Sequence, residues 1–222
     1  DGRLHVYPAS VVYAAGFTEI GFTLDASGPV PVFELKITGE DIDVEDLLAR
    51  AREPIVLSGD LSLAADLRSA GRSRRELASN LAGAFNLAIE NGRIRRIVNF
   101  LSTDAMNLVF ATADRRQHTD LSCLVGGIRF QDGIGEIDFF FMDTPRVRAR
   151  AAGNVNLASE TIDIAIHPEQ KRRLFRRQTS TVRIHGPLAR PSFRTMPLEE
   201  AARLFGTILM PHVFISEQVL GS

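Results

Sequence analysis

Apolar and polar residues alternate with a period of two along most of the chain. Ile20, Phe22 and Leu24 alternate with polar or small residues. The other segments with this period are 33–37, 61–67, 85–89 and 162–166. Successive side chains of a β-strand point to opposite faces, so each segment predicts a strand with one apolar face. The pattern predicts a mainly β fold: a curved, twisted antiparallel sheet, either open like a groove or partly closed, with three to four short helices packed on it.

Turn residues separate the alternating segments. The separators are Ser58-Gly59-Asp60, Asn91-Gly92 and Asp132-Gly133. Asn-Gly and Asp-Gly supply the positive φ angles that tight hairpins need. The sequence therefore predicts a meander of consecutive hairpins, with four successive strands near residues 119–130, 134–142, 146–157 and 161–166.

Four segments carry helical signals instead. They are 44–52 behind the capping residue Asp43, 74–81 behind the capping-box pair Ser73 and Glu76, 93–110, and 198–209 behind Pro197. Pro54 and Gly83 are the predicted stops of the first two segments, and the third is predicted to hold one or two helices. The apolar stripe of the last segment predicts a helix that docks on the sheet.

The composition favours a globular unit of balanced charge. The 222 residues are 45% hydrophobic, which is enough for a sizeable core, so one domain over 1–222 is predicted, with 1–92 and 93–222 as the alternative subdivision. Lys and Arg number 26 against 27 for Asp and Glu, which argues against a nucleic-acid partner. The single cysteine, Cys123, excludes an intrachain disulfide, and its neighbours Leu121 and Val125 predict that it packs in the core.

Residue types used in catalysis and metal binding are present but scattered. The five histidines do not lie at metal-ligand spacing, and no nucleophile elbow, P-loop or dinucleotide-binding glycine motif occurs. Acidic residues in the strand segments predict a solvated strand face rather than an acid–base pair; they are Asp60, Asp66, Asp138 and Asp163. The sequence therefore predicts no metal, no cofactor and no enzymatic activity.

Two segments have features that strands and helices alone do not explain. Residues 171–177 combine Leu174 and Phe175 with a run of basic side chains, which predicts either contact with an anionic headgroup or membrane surface, or a solvated loop. The basic members are Lys171, Arg172, Arg173, Arg176 and Arg177. Phe139, Phe140 and Phe141 put aromatic rings on both faces of one predicted strand. Phe140 is interpreted as protein core, whereas the other two suit either the core or a bound acyl chain.

No segment of the sequence has the length and character of a membrane span. The longest apolar stretch, 204–215, is interrupted by Pro211 and is too short to cross a bilayer. The chain starts at Asp1 without a basic and apolar leader. We therefore expect any targeting or anchoring segment to lie outside this chain.

The order of these motifs along the chain resembles the C-terminal region of the AsmA family. In that family a helix leads through a glycine into a strand that ends in Asn-Gly, as residues 73–94 do here. The matching motifs are 59–63, 81–94 (LAGAFNLAIENGRI), 125–128 (VGGI), 133–137, 151–157 (AAGNVNL) and 182–193. Each motif alone is common, but their order extends over nearly the whole chain.

The resemblance implies a bridge-like lipid-transfer protein of the Gram-negative envelope. Such a protein is anchored in the inner membrane, crosses the periplasm as a curved β-groove, moves phospholipid toward the outer membrane and has no catalytic residues. The expected location of this chain is therefore the periplasm, and its expected partner is phospholipid. The lipid contacts expected on apolar strand faces are Phe22, Leu35, Leu63, Leu87, Ile137, Phe139, Ile162 and Ile164.

A function of another class stays open at this point. The chain suits an assembly or docking module whose edge strands and C-terminal helix bind envelope proteins during outer-membrane biogenesis. An exposed apolar patch on 204–215, rather than a groove, would favour this alternative.

Overall fold

The computed structural model of the protein describes residues 2–95, 118–171 and 180–209. Within these residues, eleven strands form one antiparallel sheet in which every strand pairs with its neighbours in sequence. The strands are β1 Arg3–Tyr13, β2 Gly16–Asp25, β3 Val32–Asp43, β4 Leu57–Ala70, β5 Ala82–Arg95, β6 His118–Gln131, β7 Ile134–Asp143, β8 Val147–Asn156, β9 Thr161–Gln170, β10 Thr181–Pro187 and β11 Ser192–Met196. The helices are α1 Val44–Ala51, α2 Arg74–Ser79 and α3 Leu198–Leu209. The predicted mainly β class is therefore confirmed. The sheet is open rather than closed.

The central meander agrees with the alternation in the sequence. The four strands predicted between residues 119 and 166 correspond to β6, β7, β8 and β9. Asp132 and Gly133 form the two-residue connection between β6 and β7, with φ angles of 49° and 72°. Positive φ at both positions belongs to the type I′ turn, whose twist matches that of the flanking strands.

Two of the predicted turns are wrong. Asn91-Gly92 lies inside β5, and Gly59 lies inside β4, where the pairing register shifts between Ser58 and Asp60. Asn91 has a φ of 52° and Gly59 a φ of 136°. The feature is a β-bulge, which can hold residues at positive φ, as a hairpin turn does. Residue type alone therefore does not separate the two structures.

Helices α1 and α2 begin at the predicted caps. The Asp43 side chain accepts a hydrogen bond from the Asp46 backbone N–H at 2.9 Å, and the Ser73 hydroxyl accepts one from the Glu76 N–H at 3.2 Å. Helix α2 ends before Gly83, which belongs to β5, so the predicted stop is wrong. Gly83 is required there for another reason, since a Cβ atom on it would lie 2.0 Å from the carbonyl oxygen of Asp66.

The segment 93–110 does not begin as a helix. Its first three residues continue β5 and pair with β6, and the remainder lies outside the described residues. At these three residues the pattern misleads, because a half-buried strand with apolar residues at irregular intervals imitates helical spacing, and the helix prediction for the remainder stays a prediction. Helix α3 is formed as predicted, and it docks on the sheet through Phe205, which is fully buried beside Ala165 and Met196. No described helix is long and apolar enough to cross a bilayer.

Backbone hydrogen bonds join the turns at one end of the sheet. The Gly133 N–H donates to the Leu81 carbonyl at 2.9 Å, and the Leu157 N–H donates to the Gly133 carbonyl at 2.9 Å. The Leu188 N–H donates to the Glu160 carbonyl at 2.8 Å. Helix α2 lies at this end, which we call the α2 end, and helix α1 lies at the opposite end of the strands.

Candidate apolar binding face

The strand register gathers apolar residues from the whole sheet on one side. Directly paired residues of antiparallel strands project from the same face, so successive pairs trace a row across the sheet. One row runs from β1 to β10 through Val6, Phe22, Leu35, Leu67, Gly83, Phe130, Gly135, Val155, Ile162 and Gly186. At the usual strand spacing this row is about 43 Å long.

Neighbouring rows repeat the pattern. From β2 to β7 they are Ile20, Ile37, Ala65, Phe85, Ile128 and Ile137, and then Thr18, Gly39, Leu63, Leu87, Gly126 and Phe140. From β8 to β11 a further row is Gly153, Ile164, Ile184 and Phe193. We call these rows together the apolar face. Their one polar side chain is Thr18, whose hydroxyl oxygen is buried and has no hydrogen-bond partner among the described residues.

The apolar face is covered at the α1 end. Leu47 and Leu48 of α1 pack on a cluster of buried residues that includes Leu61, Ile89 and Leu121. The cation of Arg50 in the same helix lies 5.5 Å from the centroid of the Tyr13 ring. This part of the face is an ordinary hydrophobic core.

Away from α1 the apolar face is only half-buried. Phe22, Leu35, Leu67 and Phe85 all keep part of their surface exposed, and Ile20 is 36% exposed. In the residues that the structure describes, no second sheet lies over these side chains. Large apolar surfaces left open in this way mark interaction sites.

The opposite side of the sheet, the polar face, holds cross-strand ion pairs. Three of the four aspartates considered above pair with a basic side chain, and the fourth accepts a hydrogen bond. The contacts are Lys36–Asp66 at 3.3 Å, Arg129–Asp138 at 2.9 Å, Arg183–Asp163, and Asn91 Nδ2 to Asp60 at 3.2 Å. The hydrogen bond from Arg183 holds the pKa of Asp163 below its ordinary value, although burial acts in the opposite direction. The interpretation of these residues as a charged strand face is confirmed.

Seven of the eight predicted lipid contacts share the apolar face. They are Phe22, Leu35, Leu63, Leu87, Ile137, Ile162 and Ile164. Phe139 lies on the polar face and is 48% exposed, because the register between β6 and β7 shifts by one residue. Gly127 pairs with Phe139, whereas the next β6 residue, Ile128, pairs with Ile137. Ile137 and Phe139 therefore project to opposite faces, although residues two apart in a regular strand share a face. Lipid contact by any of the eight residues stays a prediction.

The rest of the aromatic run also divides between the two faces. Phe140 packs against the buried cluster, as its interpretation as core requires. Phe141 pairs with Val125 and Arg150 on the polar face. The same side of the sheet carries Cys123, which pairs with Glu90 and is half-buried rather than in the core.

Lys171 is the one residue of the basic segment 171–177 that lies within the described part of the chain. The Lys171 ammonium lies 2.7 Å from the Asp143 carboxylate, so this lysine is tied to the sheet. Burial raises the pKa of Asp143, but hydrogen bonds from Lys171 and Arg148 outweigh it and lower the pKa below the ordinary value. The other predicted headgroup contacts lie outside the described residues; they are Arg172, Arg173, Arg176 and Arg177. Their role at a lipid surface stays a prediction.

Sequence reasoning missed a group of residues at the α2 end. Phe33 and Leu67 continue the apolar face, and Leu77 and Ala78 of α2 overhang it. The strand residues carry the same alternation as their neighbours and were identifiable from it. The helix residues were not, because a six-residue helix shows too few turns to reveal which side faces the sheet.

Part of the chain is similar to known proteins. The family model described as AsmA family matches residues 1–139 of the 222. The chain belongs to the AsmA family. It is also similar to the AsmA family protein YhjG of Escherichia coli (strain K12), with 24% identity over 114 residues. That similarity covers 51% of this AsmA-family chain and 17% of the length of YhjG. No solved structure matches.

The family match confirms the resemblance on its first 139 residues. The later motifs, from 151–157 onward, lie beyond the match and stay a prediction. No group of three or more His, Cys, Asp or Glu residues within the described part of the chain is arranged to hold a metal ion. The half-open apolar face is therefore the candidate site of this AsmA-family chain.

Proposed function

We propose that this AsmA-family chain is a non-enzymatic lipid-handling module of the bacterial envelope. Its apolar face would shield phospholipid acyl chains from water while the lipid moves from the inner to the outer membrane. The observation that carries the proposal is the continuous apolar row from β1 to β10, which stays half-exposed away from α1. The location that goes with this function is the periplasm, with an inner-membrane anchor outside this chain.

The chemistry of the face suits acyl chains. Moving apolar surface out of water gains about 0.8 kcal/mol per buried CH₂ group and requires no directional contacts. A ten-residue strand is roughly 33 Å long, which is comparable to the hydrocarbon thickness of a bilayer. A lipid tail can therefore lie along or across the strands and move between equivalent positions.

The ionic groups support a non-enzymatic role. Asp66, Asp138 and Asp163 are engaged in cross-strand pairs on the polar face, away from the open apolar surface. Within the described residues the apolar rows bring no titratable pair together. An acid–base mechanism needs two such groups at one substrate, so the face offers binding rather than chemistry.

The first experiment compares two adjacent β5 residues that project to opposite faces. Phe85→Glu puts a charge on the half-exposed part of the apolar face, and Asn86→Glu puts the same charge on the polar face. Each protein is purified without detergent, and the bound lipid is extracted and counted by mass spectrometry beside an unrelated periplasmic protein. We expect phospholipid on the unmodified chain, a loss of about tenfold for Phe85→Glu because a charge is costly to bury under an acyl chain, and little change for Asn86→Glu.

The two outcomes separate clearly. Equal lipid loss in both variants, at matched thermal stability, would remove the apolar face from the proposal. A chain that carries no more phospholipid than the unrelated protein would contradict the proposed function itself.

One observation favours the second candidate, a docking module for envelope proteins. Strand β1 is a sheet edge in the described part of the chain, and its apolar side chains are exposed on both faces, with Tyr7 at 78% and Val12 at 76%. An exposed apolar edge is a template for pairing with another strand. On α3, Leu204 is 42% exposed, and the rest of the predicted 204–215 patch carries no described side chain beyond Phe205.

A pair of variants distinguishes this candidate from lipid handling. Val12→Lys blocks the edge strand without touching the central rows of the apolar face. If docking is the function, Val12→Lys abolishes capture of an envelope protein by crosslinking and leaves bound lipid unchanged. If lipid handling is the function, Phe85→Glu lowers bound lipid and leaves any crosslinked partner in place.

A further inference from the structure

A pocket lies between helix α2 and the open part of the apolar face. It has a volume of about 320 Å³. Its walls come from Phe22, Phe33, Leu35 and Leu67 on the sheet and from Leu77 on α2. The rings of Phe22 and Phe33 meet at 6.2 Å between centroids. This volume is at the lower end of the range for small-molecule sites and suits one slender apolar group. We call it the α2 pocket.

Helix α2 is held firmly above the sheet, so the pocket is preformed. The Ser69 hydroxyl donates to the Leu77 carbonyl at 2.6 Å, and the Asn80 side chain donates to the Ala70 carbonyl at 2.8 Å. The Arg72 Nε donates to the Pro29 carbonyl at 2.9 Å, which ties the start of α2 to the loop between β2 and β3. A rigid pocket binds its occupant without the entropy cost of ordering its walls.

Arg74 and Arg75 are the first two residues of α2 and are not among the residues that line the pocket. Arg74 precedes the pocket-lining residues Leu77 and Ala78 by three and four positions, which places it on the same side of α2, one turn away. Arg75 precedes Ala78 by three. Both arginines are exposed, and within the described residues neither forms an ion pair.

The nearby carboxylates are already engaged. Glu34 pairs with Arg68 at 3.7 Å, and Asp66 pairs with Lys36 at 3.3 Å. Glu76 accepts a hydrogen bond from the neutral Arg72 backbone N–H at 2.7 Å and keeps its charge, but it is outnumbered by Arg72, Arg74 and Arg75. Positive charge is therefore left over next to an apolar pocket. That combination complements a molecule with an apolar tail and an anionic head.

We infer that the α2 pocket with Arg74 and Arg75 is a subsite for an anionic glycerophospholipid. One acyl chain fills the pocket, and the phosphate of the headgroup meets the two guanidinium groups, which bind phosphate well because of their planar donors. The inference rests on the proposed function and adds a preference for the charge of the lipid headgroup. The open apolar face accepts any acyl chain, whereas this subsite prefers a lipid of net negative charge.

The test offers the chain a choice of headgroup. The protein is incubated with vesicles of equal parts phosphatidylglycerol and phosphatidylethanolamine, separated from them, and its lipid is extracted and counted. We expect phosphatidylglycerol to exceed phosphatidylethanolamine by about tenfold, as two basic groups near a phosphate allow. Arg74→Glu with Arg75→Glu should bring the ratio to about one by lowering the phosphatidylglycerol count.

A matched control changes the charge by the same amount elsewhere. Arg52 and Arg190 are also exposed and lie in the turn after α1 and in the connection between β10 and β11. Arg52→Glu with Arg190→Glu should keep the phosphatidylglycerol excess. Arg74→Gln with Arg75→Gln is a milder pair that should lower the excess in the same direction, and it serves if charge reversal disturbs α2.

A fluorescence measurement locates the tail. The chain contains no Trp, so Ala78→Trp places a single reporter at the pocket wall. Phosphatidylglycerol with brominated acyl chains should quench this reporter strongly. Ala64→Trp on the polar face of β4 is the control and should be quenched several-fold less.

Four results would overturn the inference. Equal headgroup ratios in Arg74→Glu/Arg75→Glu and in the control pair, with lipid still bound, would remove the subsite and leave the proposed function standing. Equal quenching at positions 78 and 64 would remove the pocket as the tail site. Retention of added oleate in place of phospholipid would make the occupant a free fatty acid. A chain that binds neither phospholipid would contradict the inference together with the proposed function.

Discussion

The two ends of the apolar face are built from the same residue types but differ in how they are covered. At the α1 end, Leu121 is 1% exposed and Ile89 is 6% exposed, under the apolar side of α1. Toward the α2 end, Leu35 and Leu67 continue the same face but remain half-exposed. Identical Leu, Ile and Phe side chains thus form a core at one end and an accessible surface at the other.

The difference shows how one sheet can serve both stability and binding. Burial under α1 removes apolar surface from water permanently and stabilises the fold. In the half-exposed part the apolar surface stays in contact with water. An apolar ligand that covers this surface gains a similar free energy. Substitutions at the covered end should therefore change unfolding, and substitutions at the open end should change lipid binding.

The largest expected effect follows from the fully buried Leu121. Leu121→Ala should lower the free energy of unfolding by about 3 kcal/mol, because it removes buried methyl groups and leaves a cavity that neighbours fill only partly. Leu35→Ala at the open end should cost about 1 kcal/mol, since that side chain is already part-exposed. Urea unfolding of both variants measures the difference. Equal losses would mean that the two ends are covered alike, which would break the comparison.

A smaller effect should come from the cap of α1. Asp43→Ala removes the hydrogen bond to the Asp46 N–H and should cost about 1 kcal/mol. A frayed α1 would also uncover Leu61 and its neighbours, so binding of a hydrophobic dye should rise. Ser73→Ala removes the equivalent cap of α2 and is the matched control at the open end. There the dye signal should change little, because the face below α2 is accessible already.

Much of this arrangement was predictable from the order of residues. Alternation identified β2 to β9 but not β1, β10 and β11, and seven of the eight residues proposed as lipid contacts lie on one face of the sheet. Local chemistry located the caps of α1 and α2. These features depend on one strand or one turn at a time. The type I′ turn at Asp132-Gly133 belongs to the same group, because its backbone angles are set by two residues.

Other features depend on pairs of strands and were not predictable. The bulge at Asn91 and the register shift that turns Phe139 to the polar face arise where two strands pair with an extra residue on one side. A single sequence contains the alternation of each strand but not the point at which the pairing slips. The cover provided by α1 is likewise a tertiary property, which is why alternation alone left the sheet either open or closed.

The smallest effect concerns α3, which covers the polar face and should respond to acid without disturbing the apolar face. His167 contacts Phe205 at 5.6 Å between ring centroids and shares a 2.8 Å hydrogen bond with the Thr181 hydroxyl. Burial lowers the pKa of His167 below its ordinary 6.5. As the pH falls, the His167 imidazole is therefore protonated in the unfolded or undocked chain before it is protonated in the docked state. The docking of α3 loses stability as the pH falls below about 6.5.

A second loss should follow at lower pH. The pKa of Asp163 is held below 3.8, chiefly by the hydrogen bond from Arg183, so its contribution is present above that value and disappears as the pH falls through the folded pKa. Hydrogen exchange of the α3 amides, corrected for the intrinsic rate, should therefore increase in two stages, and His167→Gln should remove the first. Protection that stays constant between about pH 7 and pH 5 would contradict this role of His167. Because α3 packs on Ala165 and Met196 rather than on Leu121, dye binding at the apolar face should stay unchanged through the first stage.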